Sequence, residues 1–378
     1  MKKIIVILIS VVLSSVIFQG CAPTNPHLTE AKISMNRDDM QKAQKELALV
    51  LEQQPENIEA AYLEGYIHFK QENWSKMYDS FYKVKTNDPE YEKANIENMS
   101  IKAFGVLRST GINDKFNNAV PLINVETEKA EKLFQSALND LELADKFKSD
   151  DFITKDIIAT INLQLGNKDK AIDGFQEAIP YGNRYISELR ESVKKDGDKE
   201  GLKEKEIEST FKNIVNAYIN IFNLYTEREE SEKALEALNK VLEFDPANKE
   251  ALLQMAKYYE NRKEFEKALP MYEKMLEIEP DNIDVLFNQG ILFKSSKDID
   301  KAIVNFEKII GINPDDAETM YFLALFYTEK EQYQKVVNLI EPKFENFSDE
   351  WKDKVSDYIQ VALVKIGRAI DAKNYQRN

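Results

Sequence analysis

The sequence predicts an all-α chain of stacked helix pairs, and three observations carry that prediction. Helix breakers are scarce: of 378 residues only 12 are Gly and 11 are Pro, about half the usual share. Charged residues make up 31% and hydrophobic residues 43%, a mixture that suits amphipathic helices and excludes a collagen-like or disordered chain. Prolines and small residues recur at one fixed interval along much of the chain, the mark of a repeat array rather than of unrelated domains.

At the N-terminus Lys2 and Lys3 precede a run from Ile4 to Phe18 interrupted only by Ser10, Ser14 and Ser15. As a helix that run would span roughly 22 Å, short of a hydrocarbon core of about 30 Å. A positive start, a short apolar stretch and small residues after it are the features of a secretory signal. The run meets Gly20-Cys21, and Cys21 is the only cysteine in the chain. This resembles a bacterial lipoprotein signal, although Phe18 and Gln19 stand where that family usually has Leu and a small residue. The resemblance implies removal of residues 1–20, acylation of Cys21 and a short tether over residues 21–27. With acyl chains on Cys21 the protein would be held at a membrane by lipid. Its formal charge of −15 would be repelled by anionic lipid and by nucleic acid. Ala22, rather than Asp, after the acylated residue points to the outer membrane, with the body in the periplasm.

The period is carried by several independent positions. Pro246, Pro280 and Pro314 are evenly spaced, and Pro55 and Pro89 stand the same distance apart. A second register at that spacing links Ala234, Ala268, Ala302 and Val336, with Ala43 and Met77 earlier. Four residues after each small residue comes a large apolar one, and three later a medium one, as in Ala302/Phe306/Ile309 and Ala268/Tyr272/Met275; these share one helix face. Twelve residues before this register stand Gly65, Ala256, Gly290 and Ala324, small enough to let paired helices approach. The prolines should end one helix and begin the next, where a missing N–H costs nothing, and the Asn or Asp that often follows them supplies a cap.

These residues resemble the tetratricopeptide repeat, a pair of antiparallel helices in about 34 residues. The resemblance implies a right-handed superhelical solenoid of about eight helix pairs. The second-helix register is regular from Ala43 to Met77 and again from Ala234 to Val336. Between them its steps, from Met77 to Ala130, to Ala171 and to Ala234, are all longer. Repeat-like pairs, irregular toward the middle of the chain, are therefore expected over residues 28–182, with an apolar insertion, read as a loop, at 110–126. A charged helical insertion is expected at 183–214 and regular pairs at 215–347. Pro342 and Lys343 should shorten the second helix of the eighth pair. Trp351, Val355, Tyr358, Ile359, Ala362 and Ile366 form an apolar stripe, so residues 348–378 read as a capping helix with a charged outer face, and a tail.

In the tetratricopeptide family positions 2, 5, 9 and 12 of the first helix line a concave face that meets the ligand. Carried onto matching positions, that implies a peptide groove of Tyr62, Tyr66 and Phe69 in the N-terminal half. Ile219, Asn223, Leu253, Lys257, Phe287, Ile291, Tyr321 and Leu325 would line it in the C-terminal half. Glu59, Glu250, Asp284 and Glu318 stand at position 2. Apolar side chains ringed by acids suit a peptide with hydrophobic anchors and basic flanks. The carboxylate clamp of chaperone-binding members is not expected, since only Asn223 and Lys257 match it. Replacing Phe287 and Tyr321 together by alanine is expected to abolish capture while leaving the array folded.

No catalytic constellation is visible, and no cofactor or metal is expected. There are only two histidines: His27 lies in the tether and His68 at a core position of its pair, so neither has a metal-ligating partner at suitable spacing. No glycine-rich phosphate loop occurs, and the acid pairs read as solvated helix faces. The expected function is a membrane-anchored scaffold for another envelope protein, similar to pilotins and to repeat lipoproteins of barrel assembly. A glycan- or nutrient-binding surface lipoprotein is the alternative, and would need exposed Trp74 or Trp351 on the groove.

Overall fold

A computed structural model describes residues 25–198 and 201–375. The signal segment 1–20, Cys21 and the first part of the tether lie outside the described residues. Among those described the chain is helical with no strand. It divides after Glu188 into two compact units.

The first unit holds four helix pairs. These are α1 (Pro26–Asn36) with α2 (Met40–Gln53), and α3 (Ile58–Lys70) with α4 (Trp74–Asn87). Next come α5 (Lys93–Ser109), the short α6 (Asn117–Ala119) and α7 (Thr127–Phe147), and then α8 (Phe152–Gln164) with α9 (Lys168–Asp196). Helix α9 crosses the division at Glu188. The second unit pairs α10 (Leu202–Glu227) with α11 (Ser231–Phe244) and α12 (Lys249–Asn261) with α13 (Phe265–Ile278). It continues with α14 (Ile283–Ser295) and α15 (Ile299–Ile312), α16 (Ala317–Glu329) and α17 (Tyr333–Ile340), and ends in α18 (Asp349–Lys365). The described residues thus form eight pairs and a terminal helix, an all-α array of the kind the repeat period predicts.

Local chemistry sets each boundary. The residue before each repeat proline is forced out of the helical region: Gln54, Asp88, Asp245, Glu279 and Asn313 all have φ between −148° and −125° with ψ of 75–96°. The prolines sit in the turn between pairs rather than at the first position of the next helix. Two residues later Asn57, Asn248, Asn282 and Asp316 cap the following helix, each accepting a backbone N–H at 2.9–3.1 Å. Inside each regular pair the turn is closed by one residue in the left-handed region. Asp38, Glu72, Glu229, Lys263, Lys297 and Glu331 all have φ of 55–65°, and Gly166 takes the place in the fourth pair. The third pair, which carries the insertion, has no such residue between its helices.

Close approach within a pair depends on the small residue twelve before the second-helix register. A Cβ on Gly65 would run into the ring of Phe81, and one on Gly290 would lie 2.6 Å from the ring of Phe306. The large residue four after the second-helix register therefore fills its own pair as well as the seam to the next one. Phe306 also stacks on Phe322 at 5.4 Å and meets Phe326 at 5.5 Å, both from the following pair.

Residues 110–126 are largely helical, not a loop. Thr110–Phe116 continues α5 as a π-helix, α6 follows, and Val120–Leu122 makes a 3-10 turn. Gly111, Asn113 and Asn117 favour turns locally, but burial of Ile112, Phe116, Leu122 and Ile123 against Phe134, Ala137 and Leu141 outweighs that propensity. The charged segment that follows is two helix extensions, the end of α9 and the start of α10, where Lys203 Nζ donates to Ser192 Oγ at 2.8 Å.

At the far end α17 stops at Ile340 and a 3-10 turn, Glu341–Asn346, replaces its continuation. Helix α18 takes the place that the first helix of another pair would fill, with Val355, Ile359 and Ala362 completely buried on α16 and α17. Arg368 holds Glu341 through two bonds of 2.8–2.9 Å and Asp371 through a third, while Tyr375 packs edge-on to Phe344. The outer face of α18 is not wholly charged: Val361 and Val364 are exposed on it.

Candidate functional site

The side chains implied as a groove are all on first helices, but most of them also pack. In the first unit Tyr62 is half-buried, stacked on Phe81 at 6.1 Å and edge-on to Tyr91 at 5.8 Å. Burial raises its hydroxyl pKa above the usual tyrosine value. Tyr66, half-buried, has the Lys70 amine 5.5 Å above its ring. Phe69 meets Trp74 edge-on at 6.2 Å and the Lys102 amine at 5.1 Å. Trp74 is thus engaged with its neighbour rather than standing free.

In the second unit Ile219 and Leu253 are half-buried, and Asn223 and Lys257 are exposed. Phe287 packs edge-on between Phe306 at 5.3 Å and Phe322 at 5.5 Å. Ile291 and Leu325 lie half-buried against the same core. Tyr321 is covered by the terminal helix, with Trp351 at 6.2 Å and Tyr358 at 5.8 Å. Two corrections follow. Tyr321 contributes to the seal of the array's end more than to an open surface, because α18 stacks on it. Replacing Phe287 and Tyr321 by alanine would therefore empty a continuous aromatic cluster, and the array would not stay intact.

What remains accessible at these positions is largely polar. Asp284 and Glu318 are exposed, with no hydrogen bond or ion pair among the described residues, and Lys257 and Asn223 are exposed nearby in register. Glu59 is taken by Lys32 at 2.6 Å, and Glu250 accepts from Gln254 at 2.6 Å.

His68 is buried on α3, 3% exposed, and its Nδ1 has no hydrogen-bond partner. Burial lowers its pKa, so the ring is neutral in the folded chain. An unfolded histidine protonates near pH 6.5 and this one at a lower pH, so the unfolded state takes up the proton first and stability falls below about pH 6.5. The stability lost between pH 6.5 and 5.5, read from urea midpoints, should be greater in the native chain than in His68→Phe.

Asp156 stands fifteen residues before Ala171, the offset that separates Leu253 from Ala268 and Phe287 from Ala302, in the fourth pair, from which the implied groove takes no residue. Asp156 is half-buried and has no hydrogen bond or ion pair among the described residues, and burial pushes its carboxyl up to about 7. Among the described residues it is the one acid at a position matching the implied groove whose carboxyl is pushed up this far. No group of three or more His, Cys, Asp or Glu among the described residues is arranged to hold a metal ion. No described helix is long and apolar enough to cross a membrane.

Comparison with known proteins finds the repeat in the second unit. Residues 225–286 and 283–316 match family models described as tetratricopeptide repeat. No curated protein matches the chain in sequence. Among solved structures, a tetratricopeptide repeat protein from Parabacteroides merdae is 17% identical, covering 73% of this chain and 94% of its own, at a TM-score of 0.37. The C-terminal part of a TPR repeat-containing protein from Cytophaga hutchinsonii is 14% identical, covering 69% and 93%, at a TM-score of 0.43. YrrB, described as a TPR protein with an unusual peptide-binding site, is 17% identical, covering 56% and 94%, at 0.35. Similarities this distant place no residue of a site.

Proposed function

We propose that this chain is a non-enzymatic scaffold of the bacterial cell envelope, tethered by acylated Cys21 and facing the periplasm from the outer membrane. Its partner is another envelope protein, held through a segment with apolar anchors and basic flanks. Tetratricopeptide repeats in the second unit support an interaction role, and one observation carries the reading of the partner. Along the ligand-facing positions of that unit, half-buried Leu253, Phe287 and Ile291 alternate with exposed acids that have been left unpaired at Asp284 and Glu318. Unpaired rim charges of one sign steer and select an opposite charge more than they stabilise the fold. The overall charge of −15 acts in the same sense.

Because these acids are exposed, they can be reversed without touching the core. The pair Asp284→Lys with Glu318→Lys is expected to reduce recovery of the co-purifying envelope partner about tenfold at low salt, with the melting temperature unchanged. Full recovery would remove this face from consideration. Fractionation tests the anchor separately: Cys21→Ala should move the chain from membranes to the soluble fraction, and its continued sedimentation with membranes would exclude acylation as the tether.

A further inference from the structure

The helical insertion does not merely bury itself. Between it and α8 lies a half-open pocket of about 510 Å³, within the size range of small-ligand sites. Phe116, Val120, Pro121 and Ile123 form its apolar wall, and Thr160 and Gln164 supply the opposite side from α8. Asp156, Thr160 and Gln164 follow one another at intervals of four and so share a helix face. Asp156 is not itself part of the lining but stands one turn before Thr160 on α8, beside the pocket.

We propose that this pocket receives an apolar side chain of the partner segment, with an adjacent lysine or arginine of that segment meeting Asp156. The inference rests on the scaffold reading and adds a contact in the first unit. Asp156 has no counter-charge of its own among the described residues, although its surroundings disfavour the ionised form. An incoming cation supplies what the fold omits. A single carboxylate beside an apolar wall is too few oxygens for a hard divalent cation. An anionic lipid headgroup would be repelled by the same carboxylate.

The probes are N-acetyl-leucyl-lysine amide and its charge-reversed counterpart, N-acetyl-leucyl-glutamate amide, titrated into the full chain with labelled Ile and Val methyls. The lysine peptide should give saturable shifts at Val120 and Ile123, and the glutamate peptide should bind at least about tenfold more weakly. Asp156→Asn should weaken the lysine peptide by a similar factor without loss of folding, since it removes an unpaired half-buried acid. Thr160→Leu, which narrows the pocket, should abolish the shifts while the melting temperature holds. Equal binding of the two peptides, shifts that never saturate, or unchanged affinity in Asp156→Asn would each overturn the proposal. The two readings separate cleanly: loss of peptide binding with the envelope partner still recovered sinks only the pocket. Failure of the native chain to recover any partner sinks the scaffold reading instead, whatever the peptides do.

Discussion

Gly290→Ala is expected to destabilise the second unit by about 2 kcal/mol, read as a lower urea midpoint with an unchanged slope. An exposed glycine in mid-helix would gain about 1 kcal/mol from the same change, so the sign itself is informative. The new methyl would meet three ring atoms of Phe306 at 2.6–3.1 Å. That ring cannot step aside. It is completely buried, with Phe287 on its edge and Phe322 and Phe326 against it from the next pair. Trimming the obstacle should restore room, so Phe306→Leu, damaging alone, should cost less in the Gly290→Ala background. A coupling of about 1 kcal/mol in that cycle would mark the contact as the cause. Gly105, with nothing within 4 Å of its added methyl, is the control, and Gly105→Ala should stabilise slightly.

A larger loss is expected in the first unit from Lys155→Met, about 3 kcal/mol. The amine is nearly inaccessible, with 7% of its side chain exposed, and it lies 3.1 Å from Asp145 and 2.7 Å from Glu177. It also sits 5.3 Å above the ring of Tyr181. The lysine thereby joins α7, α8 and α9. Burial works against its charge, but hydrogen bonds to Glu177 and Asp145 hold its pKa above the ordinary value. Methionine keeps the bulk and removes the charge. Glu177 is exposed enough to rehydrate, whereas half-buried Asp145 would keep a carboxylate without a partner. Burial already raises the Asp145 pKa, and losing the lysine would raise it further. A folded pKa above the unfolded one means that the folded state binds the proton first, so stability recovers as pH falls. The deficit of Lys155→Met should therefore narrow between pH 7 and pH 5, and Asp145→Asn in the same chain should narrow it at neutral pH. A deficit independent of both would mean that packing, not charge, explains the loss.

The repeat is readable in the sequence because its determinants are local and periodic. Gly65 and Gly290, Ala268 and Ala302, the prolines and the Asn and Asp caps each act within one turn or one pair, so spacing alone reveals them. The terminal stripe from Trp351 to Ile366 is readable for the same reason. What escapes depends on contacts distant in sequence. Nothing near Gly111 or Asn117 announces a helix; the deciding partners, Phe134 and Leu141, lie well along the chain on α7. Tyr321 carries the pattern of a ligand-facing residue, and only the return of α18 over it reveals a packing role. Asp156 is within reach of the register, but a lone acid on a helix is indistinguishable in sequence from a solvated one until its missing counter-charge is seen.

The way α18 lies across the last pair also bears on how such a chain can lengthen. With Val355, Ile359 and Ala362 sunk into α16 and α17, and Arg368 clasped to Glu341, a module added after α18 could dock only on its outer face, where Val361 and Val364 are exposed. A duplicated module spliced between existing pairs would find both of its faces matched, whereas one added beyond α18 would meet little more than that short apolar strip.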